Sequence, residues 1–260
     1  IRDLRMSRGL GDVYKRQRNM RILVVGMGLI GGSICKSIKA ATSHAVYGCD
    51  VQQAVLDDAI ADGAIDGTGT MTDGTYDMII LCLHQRIAIQ MVQEALPKIP
   101  AGTILVDTCG LKGRMVRDLT YRCRKADVRY VGTHPMAGRE KNGYYASIPN
   151  LFQNANLIVT PVDGTDEAAL DTVKELADQM GFGKIVTATP MWHDNMIAYT
   201  SQLAHVVSSS YVKDFCMDDA LSFSGGSFQD MTRVATMDES MWAALFPVSY
   251  THLRAHETCA

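Results

Sequence analysis

From Met20 onward, short apolar runs alternate with stretches whose apolar positions recur at helical spacing. RILVVG (21–26), HAVYGCD (44–50), YDMIILCL (76–83), GTILVDT (102–108) and VRYVGT (128–133) read as buried strands, with helical patterns between most of them. Continuous apolar strands alternating with helices predict a parallel sheet covered on both faces. A further strand, ANLIVTPV (155–162), leads into a helix at about 165–180, and GKIVTAT (183–189) closes this section. Beyond Pro190 the pattern is helical only, over roughly 190–213, 217–223 and 228–246. The expected architecture is α/β. A doubly wound, mostly parallel Rossmann-type sheet occupies residues 20–189, and an all-helical domain follows over 190–247.

The two ends fit neither period. Residues 1–19, IRDLRMSRGLGDVYKRQRN, are arginine-rich and precede a methionine that opens a good strand. Residues 248–260, VSYTHLRAHETCA, follow directly on WAALFP. Both resemble translated sequencing-adapter DNA and are set aside as non-native flanks. On that reading the helical domain is cut short after Pro247.

Composition narrows the class. Hydrophobic residues make up 47% of the 260 and charged residues 20%, a globular profile rather than a disordered one. No apolar run approaches the roughly 18–20 residues that span a bilayer, and the first twenty residues lack the apolar core of a secretory signal. The formal charge is −3, or −7 without the flanks, which gives no electrostatic case for a nucleic-acid partner. Seven cysteines, at 35, 49, 82, 109, 123, 216 and 259, are odd in number and show no CxxC pairing. Neither a disulfide framework nor a metal site is expected, and reduced thiols suit a cytoplasmic protein.

The first strand ends in GMGLIGGS (26–33), which fits GxGxxG with Gly26, Gly28 and Gly31 around Leu29 and Ile30. Six residues alone are a weak signal. The apolar strand before it, the helical pattern after it and Asp50 nineteen residues beyond Gly31 strengthen it. Gly26 permits the tight turn, Gly28 lets a pyrophosphate approach the backbone, and Gly31 lets helix and strand pack closely. The helix N-terminus offers free N–H donors to phosphates. Asp50 can accept hydrogen bonds from both ribose hydroxyls and would repel a 2′-phosphate, which favours NAD over NADP. His84, in LCLHQR (81–86), falls near this site.

Polar candidates gather later in the chain. In GTHPMAG (132–138), Pro135 biases His134 toward extended backbone, which predicts His134 on a fixed loop at the end of a strand. On the long helix, Ser201 and His205 lie four residues apart and share a face. His193 and Asp194 read as helix-start residues, where a carboxylate favours the positive dipole end. GGSFQDMTRVATMDESMW (225–242) carries Arg233 and Trp242. Two well-placed histidines and an arginine in a dehydrogenase suggest an anionic substrate oxidised at a hydroxyl.

GMGLIGGS, GTHPMAG, HDN…SQLAH and GGSFQDMTRVA…MW, in this order, resemble the prephenate/arogenate dehydrogenase family of tyrosine biosynthesis, from about Met20 to Pro247. GTHPMAG and the histidine helix are more diagnostic than the glycine fingerprint. The resemblance implies oxidative decarboxylation of prephenate with NAD, or of its aminated relative arogenate. It makes His134 the catalytic histidine and Arg233 the substrate-binding arginine. It places Ser201 and His205 along the substrate pocket and Trp242 at its edge, and Gly226 close to the neighbouring subunit's substrate site in a homodimer. One departure stands out: many members carry a serine in a DxGSxK element, where this chain reads DTCGLK (107–112) with Gly110 at that position. The substrate-hydroxyl contact must then come from elsewhere, from water or Thr108. The rival from another class is a NAD-binding sensor without turnover, which would have no need of His134 and Arg233 together. Dehydrogenases of 3-hydroxy acids, a third reading, typically use a lysine on the long helix, and residues 190–212 contain none.

Overall fold

The computed structural model describes residues 19–213 and 217–235. Trp242, the expected helix beyond residue 235 and nearly all of both flanks lie outside the described residues. Eight strands form one sheet: β1 (Arg21–Val25), β2 (Ala45–Cys49), β3 (Gly67–Thr68), β4 (Met78–Leu81), β5 (Ile104–Asp107), β6 (Arg129–Met136), β7 (Asn156–Val159) and β8 (Lys184–Thr187). Their order is β3-β2-β1-β4-β5-β6-β7-β8, parallel throughout except for the antiparallel β6–β7 pair. The chain winds outward from β1 to β3 and then returns to place β4 on the other side of β1. That reversal opens a crevice at the carboxyl ends of β1 and β4, the usual ligand position in such sheets. β3 escaped the apolar pattern because two residues, one of them glycine, carry no periodicity.

Side-chain alternation divides the core. Ile22, Val24, Ile80, Val106 and Val131 face α1 (Leu29–Ala41) and α5 (Glu167–Gln179). Leu23, Ile79, Leu105 and Tyr130 face α3 (Gln85–Ala95) and α4 (Gly113–Lys125). Both faces of β1, β4 and β5 are buried, as the continuous apolar runs require. α2 (Gln53–Ala61) packs near the β2 edge.

Beyond β8 come α6 (Pro190–Ile197), a π turn (Ala198–Gln202), α7 (Leu203–Tyr211), α8 (Met217–Phe223) and α9 (Gly226–Arg233). The stretch expected as one long helix is thus α6 and α7 joined by a wider turn that contains Ser201. Among the described residues no helix is long and apolar enough to cross a membrane.

His134 departs from expectation. It lies within β6, paired with Ile158 of β7, and not on a loop after the strand. β5 ends at Asp107, opposite Gly132, so residues 133–136 keep one open edge. A strand edge tolerates the donor that Pro135 lacks, and β7 supplies the other edge.

Candidate active site

The registers Val25↔Leu81, Leu81↔Asp107 and Asp107↔Gly132 align the carboxyl ends of β1, β4, β5 and the parallel part of β6. The glycine loop that follows Val25 and His134, two residues past Gly132, therefore lie along the same edge of the sheet.

The loop is built for a close ligand. Gly26 has φ +93°, and a Cβ there would lie 2.4 Å from the Cys82 carbonyl oxygen. Gly31 lets α1 cross under the loop, since a Cβ on it would come within 1.9 Å of the Gly26 carbonyl oxygen. At Gly28, the residue that caps α1, a Cβ would meet nothing within 4 Å. The space beside the helix N-terminus is open there, as phosphate approach demands. Leu29 and Ile30 form the first turn of α1 and are half-buried. Asp50, just past β2, accepts hydrogen bonds from the Met27 N–H (2.7 Å) and the Gln52 N–H (2.9 Å). Its carboxylate is thereby held against the glycine loop. Gly31→Ala is expected to lower stability by about 1–3 kcal/mol through overpacking, together with dinucleotide affinity. Thermal unfolding with and without NAD+ checks both.

His134 is the end of a chain of hydrogen bonds. Its Nδ1 lies 2.9 Å from His193 Nε2, and His193 Nδ1 lies 2.8 Å from Asp194 Oδ1. Asp194 also accepts from the backbone N–H groups of Lys112 (2.7 Å) and Gly113 (2.8 Å). These are orphan donors at the start of α4. Asp194 does serve a helix start, but that of α4, 82 residues away in sequence; α6 is capped by Thr189, which accepts from the Trp192 N–H. Burial raises the Asp194 carboxyl, but the hydrogen bonds from His193, Lys112 and Gly113 outweigh it and hold the group below its ordinary value.

An ionised Asp194 fixes the protons along the chain. It requires His193 to donate from Nδ1, which leaves His193 Nε2 as an acceptor. His134 must then donate from Nδ1, and its Nε2 is bare. Burial, the Lys112 ammonium and the neighbouring His193 push His134 down to about 3, against an upward pull from Asp194. The imidazole is neutral across the physiological range, with its basic nitrogen on the side away from His193.

Gly110 lies on that side: a Cβ there would be 3.8 Å from His134 Nε2. With no side chain, Gly110 leaves room next to the basic nitrogen. The Thr108 hydroxyl is engaged with the main chain. It donates to the Leu81 carbonyl (3.1 Å), and Thr108 lines an apolar cavity with Ile34, Val106 and Leu157 on the α1/α5 side of the sheet. Beneath His134, the fully buried Lys112 donates to Asp107 and to the Thr133 carbonyl (2.5 Å), and Tyr130 donates to Asp107 (2.6 Å).

The helical segment contributes from a distance. Ser201 follows His193 by eight residues, roughly 12 Å along a helix. The backbone carbonyl of Ser201 accepts from His205 Nδ1 (2.8 Å), which orients that ring. Arg233, the last residue of α9, pairs with Glu140 in the loop after β6, and both are more than half exposed. Gly226 opens α9 in uncrowded space. The described contacts therefore tie His134 to His193 and Asp194, and Arg233 to the loop after β6. The roles of His193 and Asp194 were missed by sequence reasoning. Their only local signal was the adjacency of two polar residues, both buried, in one turn of a helix.

Comparison with known proteins places this geometry. Residues 34–187 match the family model described as prephenate dehydrogenase, nucleotide-binding domain, and residues 189–259 match prephenate dehydrogenase, dimerization domain. A prephenate dehydrogenase of Bacillus subtilis is 29% identical over 85% of this chain and 62% of its own length, so the chain spans less than two thirds of that relative. A cyclohexadienyl dehydrogenase of Zymomonas mobilis is 30% identical over 85% of this chain and 78% of its own. Among solved structures, prephenate dehydrogenase from A. aeolicus in complex with hydroxyphenyl propionate and NAD+ superposes with a TM-score of 0.78 at 28% identity, covering 91% of this chain and 85% of that one.

Proposed function

The chain belongs to the prephenate dehydrogenase family, and from that premise we propose that it oxidatively decarboxylates prephenate to 4-hydroxyphenylpyruvate and CO2 with NAD, as a cytoplasmic homodimer. The observation that carries the reading is the chain of hydrogen bonds from His134 through His193 to Asp194, on the same sheet edge as the glycine loop. Residues 20–189 form the dinucleotide-binding unit on this reading, and 190–247 the helical substrate and dimerisation unit.

Gly26, Gly28, Leu29, Ile30, Gly31 and Asp50 would hold the dinucleotide. The open backbone at Gly28 and the anchored Asp50 carboxylate fit that role. When bound, the nicotinamide accepts the hydride that leaves C4 of the substrate ring. His134 Nε2 takes the proton of the C4 hydroxyl, the ring carboxylate departs as CO2, and the ring becomes an aromatic phenolate that takes the proton back to give the phenol. The new positive charge on His134 is shared through Nδ1 with His193 and is stabilised by Asp194. Gly110 leaves Nε2 unobstructed for that hydroxyl.

His134 in the free protein is neutral until well below pH 5, and kcat/KM reports groups of the free enzyme. The acid limb assigned to His134 is expected near pH 3 rather than 6.5, with kcat/KM at pH 5 within about twofold of its value at pH 7. A half-maximal point near 6.5 would contradict this. Linkage has the same sign. A histidine depressed in the folded state adds stability above its unfolded value of about 6.5, and that stability is lost as pH falls toward the folded value.

Arg233 supplies a guanidinium fork for a substrate carboxylate, in competition with Glu140. A hydrogen bond to a charged group contributes about 1.5–3 kcal/mol, and solvent exposure favours the lower end. Arg233→Ala is expected to raise KM roughly tenfold with little change in NAD+ affinity. An unchanged KM would remove Arg233 from the pocket.

The test of the proposal is the growth of the reduced-nicotinamide absorbance on mixing with NAD+ and either prephenate or arogenate. A rise with prephenate supports the reading, and a rise with arogenate alone keeps the mechanism and replaces the substrate. Dinucleotide binding with silence toward both would favour a sensor.

A further inference from the structure

Lys112 has no part in the proton path described above, yet it is fully buried and sits directly beneath it. Its side chain and its backbone reach the two ends of the same device. The ammonium donates to the Asp107 carboxylate and to the carbonyl of Thr133, the peptide that leads into His134. The backbone N–H of the same residue donates to Asp194, which holds His193, which holds His134. A closed ring results, running from His134 through His193 and Asp194 to the Lys112 backbone, along its side chain to Thr133, and back to His134. Tyr130, donating to the second oxygen of Asp107, and the Cys109 N–H, donating to the first, complete the coordination of the carboxylate.

We propose that Lys112 is a positioning residue for the reaction: through the Thr133 carbonyl and the Asp194 carboxylate it fixes the strand segment that carries His134, with its ammonium held close to that segment. The inference rests on the reading of His134 as the proton acceptor. A buried cation costs several kcal/mol to desolvate, and a buried ion pair is at best weak evidence of added stability. A merely structural filler would be better supplied by an apolar side chain. What an apolar residue cannot supply is a positive field under the imidazole and a donor for the Thr133 carbonyl. The charged and titratable groups around His134 are His193 and Asp194 from α6, Lys112 at the start of α4, Asp107 from β5 and Tyr130 from β6 itself. Lys112 lowers the His134 affinity for a proton and Asp194 raises it. The pair sets a base that is empty in the free enzyme and still able to pass charge to His193.

The experiment is a titration of the histidine ring resonances by NMR in the whole protein, with His134 assigned by its absence in His134→Asn. Wild type, Lys112→Met and Asp107→Asn are compared. Removing the cation is expected to move the His134 titration upward by at least one pH unit, toward the ordinary histidine value of about 6.5. Asp107→Asn, which keeps the cation, should leave it as low as in wild type. Nonspecific loosening of the site would instead move both variants upward together, and that result overturns the proposal. So does a Lys112→Met protein that titrates as wild type. The double variant Asp107→Asn/Lys112→Met leaves no unpaired charge; it is expected to show the upward shift and decides the matter where the single variant does not fold. In steady-state assays, kcat of Lys112→Met should fall by about 10²-fold through misplacement of the base, with KM nearly unchanged. Because the titration does not depend on turnover, inactivity toward prephenate and arogenate would count against the proposed function and leave the role of Lys112 to be decided by NMR.

Discussion

His134→Asn is expected to lower kcat by about 10²–10⁴-fold, the usual contribution of a positioned general base, while NAD+ affinity stays within about twofold of wild type. Asparagine is close in size and polarity but has no basic nitrogen at the position of Nε2. Its amide can still bond to His193, so the strand pairing of β6 with β7 and the packing of α6 on α4 should survive. The glycine loop is reached from β1, and none of the described hydrogen bonds or ion pairs joins it to His134. Separation of the two effects is the informative result: lost turnover with retained binding identifies the base, whereas loss of both would indicate a collapsed site. Steady-state kinetics beside a dinucleotide-binding titration reads the two quantities.

Asp194→Asn is expected to be nearly as damaging although Asp194 touches no reacting atom. The aspartate accepts from His193 and from two backbone N–H groups. An amide has one acceptor oxygen and one donor nitrogen in that place. If its oxygen takes the Oδ2 place on the Gly113 N–H, its NH2 takes the Oδ1 place, faces His193 and forces Nδ1 to accept. His193 then carries its proton on Nε2, His134 must accept at Nδ1, and the His134 proton moves to Nε2. The base is thereby blocked by a proton shift two rings away. Where a single imidazole stands between aspartate and substrate, the corresponding change costs about 10⁴ in kcat through the wrong tautomer. With two imidazoles in series, a fall of about 10²–10⁴ is expected. KM should change little, because nothing in the pocket has moved. A kcat within twofold of wild type would show that the chain from Asp194 does not set the His134 tautomer.

The contrast between these two residues shows what could be seen in the sequence. The glycine loop and Asp50 were legible because their spacing is local: a strand, three glycines, a helix and an acid at the end of the next strand. The sheet was legible for the same reason, through apolar runs buried on both faces. His134 was identified by resemblance, but its setting was misjudged. Pro135 normally announces the end of a strand, and the antiparallel β7 that carries β6 past it comes from residues 156–159. His193 and Asp194 were assigned to the start of their own helix because a local reading offers nothing else. Their partners lie 59 and 82 residues away, and such pairings exist only once α6 is docked against α4. Lys112 belongs to the same class: its burial under β6 cannot be inferred from DTCGLK. Arg233 was expected to face a substrate carboxylate, and in the structure Glu140 occupies its fork.

The most direct measurement of the central claim is the protonation state of His134 itself. In protein labelled with 15N at the histidine rings, the nitrogen shifts separate Nδ1–H, Nε2–H and doubly protonated imidazole. A neutral His134 with its proton on Nδ1 and a bare Nε2 is expected throughout pH 5–8. A His134 that is protonated on Nε2, or that becomes an imidazolium near pH 6.5, would contradict it.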